Sequence, residues 1–373
     1  MSASGAADQA LIVAAPLTIV QGPGFLRLTL ALLVFVHHTT RVSLGMAAVY
    51  VFFELSGFWI CTMWNERYVK ALFPYIIYLV SRWWRLVPAF VLASMLTWAA
   101  VYALGLPVPK VSWLLQALSH TFIVGYSSLL FQPNRPAWTL DIEVQFYVIA
   151  PLLILLMRSR TLLILAACGA VSIIGLYVDY PYRPPLLPYV QVPHPTTVFP
   201  YLLFFAIGVA AASAKWRPSA LVGWGALILT GAALVLCVVT PLQGLVIGGA
   251  HPGPLYHRFN EGANVVVALA LAPWAMYTTR QSGARFDGAL GDLSYLVYIF
   301  HWPILAALNP ASGSILHRAS VALAALMTVL ILAIGVRQFF DRPINRARAR
   351  WVARRTELRP SVSLGHGVAR PAE

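Results

Sequence analysis

Arg27 and His38 bracket the stretch RLTLALLVFVHHT, whose intervening residues are apolar apart from Thr29 and His37. Eleven residues make three helical turns, so the guanidinium and the imidazole share one helix face, roughly 16 Å apart along the axis. His37 points about 100° away from that face, so the two histidines are not equivalent. A neutral imidazole takes up a proton readily near pH 7, and a guanidinium holds an anion. A second pair, Arg82 and Arg85 in SRWWRLVP, stands at i and i+3 on one face. Two forked guanidiniums suit a phosphate-bearing ligand, although basic anchoring with Trp83 and Trp84 at a membrane interface accounts for them equally well. In PAWTLDIEVQFYVIAPL, Asp141 and Glu143 lie about 200° apart on a helix and are expected to do different jobs. A helix dipole alone would also account for both carboxylates. His301, in LSYLVYIFHWPI, is either a packing residue or a reactive one. Glu54, in FFELSGFWI, is a carboxylate in an apolar run with no evident partner.

The elements that must carry these groups follow from composition. Of 373 residues, 60% are hydrophobic and only 10% charged. Soluble domains average about 25% charged residues, so a polytopic membrane protein is the class that fits. Groups such as Glu54, Asp141, Glu143, Asp292 and His301 are then costly within spans, and each is a functional candidate. Cys61, Cys168 and Cys237 are scattered in apolar runs and read as buried thiols, with no metal spacing. The first basic residue is Arg27, so a cleavable signal peptide is not expected.

Ten spans are predicted near 26–41, 44–63, 86–106, 141–157, 161–178, 198–214, 219–240, 262–279, 293–309 and 319–340. An eleventh apolar stretch, 113–131, carries Gln116, Ser119, His120 and Ser127–Ser128, and is expected to be a re-entrant or interfacial helix. With both termini inside, eighteen of the 26 Lys and Arg residues fall on inner segments and six on outer ones. Arg27 and Arg337 lie at inner membrane ends. The formal net charge of +14 therefore reflects orientation and contact with anionic lipid rather than nucleic acid. The tail DRPINRARARWVARR is given the same role. The expected fold class is an all-α polytopic membrane protein of about ten transmembrane helices with both termini cytoplasmic. Its regions are an N-terminal segment at 1–24, a membrane domain at 25–340 and a basic cytoplasmic tail at 341–373.

Four motifs in order resemble the acyltransferase-3 family of integral membrane O-acyltransferases. They are Arg27 and His38; Arg82 and Arg85; Trp138, Thr139, Leu140, Glu143, Phe146 and Tyr147; and Ser294, Tyr295, Tyr298, His301 and Pro303. The stretch Phe52–Phe58 matches as well. Two departures stand out: Glu54, where the family is usually apolar, and Leu28, where it usually has glycine. The stand-alone type, without a fused SGNH domain, is expected.

The resemblance implies transfer of an acyl group, often acetyl from acetyl-CoA, to a hydroxyl of a carbohydrate or other acceptor. Arg82 and Arg85 would hold the donor's phosphates, with Arg27 guiding the pantetheine arm. His38 would be general base or acyl carrier, and Glu143 would orient it. Trp138, Tyr147, His301, Glu54, His37 and Asp141 are expected to support substrate or structure. Acyl-CoA, a carbohydrate acceptor and the lipid bilayer are the expected partners, with a periplasmic acyltransferase partner a further option. No metal and no nucleic acid are expected, and the bacterial inner membrane is the expected location. A transporter without covalent chemistry and a lipid or secreted small-molecule acceptor are the rival readings. Acceptor choice is expected in the loops at 107–137, 179–197 and 241–261, where Trp113, Tyr126, Tyr182, Tyr189 and Tyr256 could stack on sugar rings.

Overall fold

A computed structural model describes residues 20–107, 110–129, 131–179, 196–248, 253–281, 283–308 and 314–357. The proline-rich connector at 180–195, with Tyr182 and Tyr189, lies outside the described residues. In chain order the α-helices are α1 (Pro23–Thr39), α2 (Gly45–Glu66), α3 (Pro74–Ala103), α4 (Trp113–Phe122), α5 (Trp138–Asp179), α6 (Leu202–Ser213), α7 (Ala220–Val239), α8 (Pro254–Thr278), α9 (Asp287–Leu308), α10 (Ile315–Val336) and α11 (Arg342–Glu357). Arg160, with φ −140° and ψ 50°, breaks α5 into two segments where the sequence predicts two spans. Among the described residues no β-strand forms, and the extended backbone is limited to a bridge between Val42 and Ile247. Among the described residues, six helical stretches are long and apolar enough to cross a membrane, and two shorter apolar helices accompany them.

Side-chain pairings give the helix directions. Gly24 lies against Asp287 and Gly291, and His38 stacks on His301, so α1 and α9 run parallel in nearly constant register. A Cβ on Gly24 would fall 1.9 Å from the Asp287 carbonyl oxygen, so only glycine permits this approach. α1 has no capping side chain of its own. Asp287 supplies one from the neighbouring helix, accepting the Gly24 and Phe25 N–H groups at 2.9 and 3.0 Å. α2 packs closely on α6, where a Cβ on Gly208 would fall 1.9 Å from the Glu54 carbonyl oxygen.

Two elements differ from the spans predicted. α3 begins at Pro74 rather than near residue 86, so Arg82 and Arg85 sit inside a helix and not at its mouth. Proline at its first position favours that earlier start, because the missing N–H would be unpaired there anyway. α4 runs alongside α3: Trp113 meets Trp98, His120 stacks on Phe90, and the Trp83 indole N–H donates to the Thr121 carbonyl at 2.6 Å. It therefore runs antiparallel to α3 from Trp98 to Trp83, with Gln116 and Ser119 buried and Leu114, Leu115, Leu118 and Phe122 exposed. α10 continues through a π-helical turn, Arg337–Asp341, into α11, so the basic tail is a packed helix up to Glu357. Trp351 of α11 lies 5.9 Å, ring to ring, from Trp84, and Val352 is buried.

Candidate active site

A cavity of about 390 Å³ lies between α1, α2, α3, α5, α9 and α11. Its wall on α2 runs from Val49 to Met63, roughly 21 Å of helix at 1.5 Å per residue. Four guanidiniums line it, from Arg27, Arg82, Arg85 and Arg348, against two carboxylates, Glu143 and Asp292. The structure thus brings together Arg27, Arg82, Arg85, Glu143 and Tyr147 from three separate helices.

Each carboxylate is already engaged. Glu143 Oε1 accepts hydrogen bonds from Ser56 Oγ at 2.7 Å and from Tyr147 Oη at 2.6 Å. Asp292 pairs with Arg85 at 3.9 Å and with Arg337 at 3.3 Å. Arg82 has no carboxylate partner among the described residues. Its Nη2 donates to the Tyr68 hydroxyl at 3.1 Å, and its Nε is buried without a hydrogen-bond partner. Cations held away from water without counter-charge are costly, so the wall as built favours an anion.

Phe52, Thr139 and Tyr298 line the cavity towards the far end of α1. The Tyr298 hydroxyl donates to the Pro136 carbonyl at 2.9 Å and lies 2.8 Å from the Thr139 hydroxyl, while its ring meets Phe52 edge-on. Beyond this layer sit the histidines, which do not line the cavity. His301 is fully buried; its Nδ1 donates to the Tyr298 carbonyl at 2.6 Å, which fixes the tautomer and leaves Nε2 a bare, unpartnered acceptor. His38, exposed at the end of α1, stacks on His301 with ring centroids 5.3 Å apart and meets Trp302 edge-on at 5.5 Å. Exposed Arg135 lies 5.9 Å from the Trp302 ring.

The other candidates have structural surroundings. His37 donates from Nδ1 to the Val42 carbonyl at 3.3 Å and packs on Gly45. Asp141 is fully buried and accepts from the Gly125 and Ser127 N–H groups and the Ser127 hydroxyl, pinning the loop after α4. Trp138 is nearly buried against Tyr201. Glu54 is fully buried and neither carboxylate oxygen has a hydrogen-bond partner. Glu143 and His38 are not joined by any described hydrogen bond, so the direct pairing expected from the sequence is not what the structure places here. Tyr126, offered above for sugar stacking, is fully buried, and its hydroxyl bonds the backbone of Asn134. Tyr256 is held by the Ser43 hydroxyl at 2.9 Å, whereas Trp113 is exposed.

Sequence reasoning passed over Ser56, Trp302, Arg135 and Arg348 as site residues. Ser56 lies in the stretch Phe52–Phe58 and Trp302 directly follows His301, so local sequence marks both. Arg348 stood in a run of tail arginines that hid it.

Residues 20–337 match the family model described as an acyltransferase domain, and the chain belongs to the acyltransferase-3 family. No curated protein and no solved structure matches the chain. Family membership makes it an acyltransferase, and its several long apolar helices point to a multi-pass membrane protein.

Proposed function

We propose that this acyltransferase moves an acyl group, acetyl in the first instance, from cytoplasmic acyl-CoA to a hydroxyl of an extracytoplasmic carbohydrate. The observation that carries the reading is the guanidinium-lined cavity running along α1 from Arg27 towards the layer below His38 and His301. Ten spans with both termini cytoplasmic put Arg82 and Arg85 of α3, Asp292 of α9 and the arginines of α11 towards the side where acyl-CoA is made. The bacterial inner membrane is the setting that fits this arrangement.

In this scheme the donor's phosphates lie among Arg82, Arg85 and Arg27, and the pantetheine arm passes up the cavity to the Phe52–Tyr298 layer. The acceptor hydroxyl arrives from the outer side. Its oxygen bonds to the thioester carbonyl carbon as the C–S bond breaks, the proton passes to a His38 ring nitrogen, and that proton then goes to the departing CoA thiolate. Glu143 acts as a cavity-wall residue held by Ser56 and Tyr147, not as a partner of His38. Trp302, in edge contact with His38 and with Arg135 over its ring, supports a sugar as acceptor, because an indole with a polar rim suits a pyranose ring.

Purified wild type and His38→Ala, both checked for folding, are to be compared for release of the free CoA thiol from acetyl-CoA with and without glycan acceptors. Acceptor-stimulated release by the wild type alone is expected. Transport of a solute with no CoA release would overturn the reading.

A further inference from the structure

α11 divides its basic residues between two faces. Arg342, Arg346, Arg350 and Arg354 follow one another every fourth residue and are all exposed. The opposite row is Asp341, Asn345, Arg348 and Val352, of which Asp341 and Val352 are buried and the other two half-buried. Arg348 is thus the one arginine of the inward row, and it alone of the helix lines the cavity. Its position is held on both sides: Nε donates to Asn345 Oδ1 at 3.2 Å and Nη1 to Ser81 Oγ at 3.1 Å. The Ser81 hydroxyl is in turn 2.9 Å from the Tyr68 hydroxyl, which accepts from Arg82. Two guanidiniums are therefore tethered to one another through two hydroxyls. Among the described residues the ion pairs are those of Arg85 and Arg337 with Asp292, and neither Arg82 nor Arg348 has one.

Like charges gathered without a counter-ion in a half-enclosed space repel unless an anion joins them. We propose that Arg348 is a ligand-binding residue: α11 folds beneath the cavity and its guanidinium, together with that of Arg82, grips the phosphates of the donor. This rests on the acyl-CoA reading above. Arg348 lies beyond residue 337, where the family match ends, so the tail contributes to the site from outside the matched domain. The exposed arginine row meets the lipid surface, and the inward arginine meets the substrate.

The test is isothermal titration of acetyl-CoA and of phosphate-free acetyl-pantetheine into protein in neutral detergent, without anionic lipid. Arg348→Gln is expected to bind acetyl-CoA about tenfold more weakly and acetyl-pantetheine as the wild type does. Arg348→Lys should recover part of the loss, and Arg350→Gln on the exposed row should behave as the wild type. Equal weakening by Arg348→Gln and Arg350→Gln would reduce the effect to overall tail charge and overturn the proposal. So would undiminished acetyl-CoA binding by Arg348→Gln, or a parallel loss of acetyl-pantetheine. Should Arg348→Gln fail to fold, Arg348→Lys decides, because it keeps the charge and loses the fork. A wild type that binds no acetyl-CoA would instead remove the donor reading itself.

Discussion

Around the cavity, charge is abundant and crowded: four guanidiniums face two carboxylates, and both carboxylates are already bonded to neighbours. Three turns along the same helix, His38 and His301 meet as stacked rings, with a tryptophan edge beside them and a single exposed arginine nearby. The first region can bind a multiply charged ligand, and both of its carboxylates are taken up by neighbouring side chains. The second has proton acceptors and an exposed ring, but no cluster of charge to hold a cofactor. On the proposed function, binding and chemistry are divided between two depths of one pair of helices, with Tyr298 and Phe52 between them. A donor long enough to lie in one region and react in the other is what such a division requires.

That division can be broken experimentally from either side. The largest effect is expected for His38→Ala: kcat for acyl transfer falls about a thousandfold while the acetyl-CoA dissociation constant is unchanged, measured by thiol release and titration calorimetry. A matching loss of donor affinity would merge the two regions. Arg82→Gln should do the reverse, raising KM for acetyl-CoA about tenfold with kcat at saturation nearly intact. Glu143→Gln sharpens the comparison. As a cavity-wall residue its loss of charge should alter donor affinity a few-fold and leave the pH profile of kcat in place, whereas a shifted profile would tie it to His38. Glu54→Leu removes an unpartnered buried carboxylate of similar volume and is expected to raise stability by about 2 kcal/mol, read as a higher thermal midpoint in detergent. Asp287→Ala strips the cap from α1 and should lower stability by about 1 kcal/mol.

Much of this was legible in the residues themselves. The spacing of Arg27 and His38, the inequivalence of His37, and the 200° between Asp141 and Glu143 are consequences of helix period. In the structure these residues occupy different surroundings accordingly. The family could be read from short motifs because each needs its residues at fixed local spacing. What escaped was whatever depends on distant elements meeting. Glu143 is held by Ser56 from another helix, a pairing that no local period announces. Tyr126 was offered for sugar contact because it lies in a polar loop, yet that loop folds back and buries it. Arg348 is distinguished from its neighbours only by the direction it faces once α11 packs under α3. The start of α3 at Pro74 differs from the predicted span because Arg82 and Arg85 interrupt the apolar run that YIIYLV begins, while proline geometry permits helix from residue 74 onward.

The parallel pairing of α1 with α9 has a consequence for how the protein is made. His38 leaves the ribosome early, and His301 follows 263 residues later. Every helix from α2 to α8 is made before the two rings can touch. A chain stopped before α9 therefore holds His38 without its stacking partner, leaves the α1 N-terminus without the Asp287 cap, and lacks Tyr298. Under the proposed function, a truncated product would carry His38 without the neighbours that α9 brings to it, and would not consume acyl-CoA.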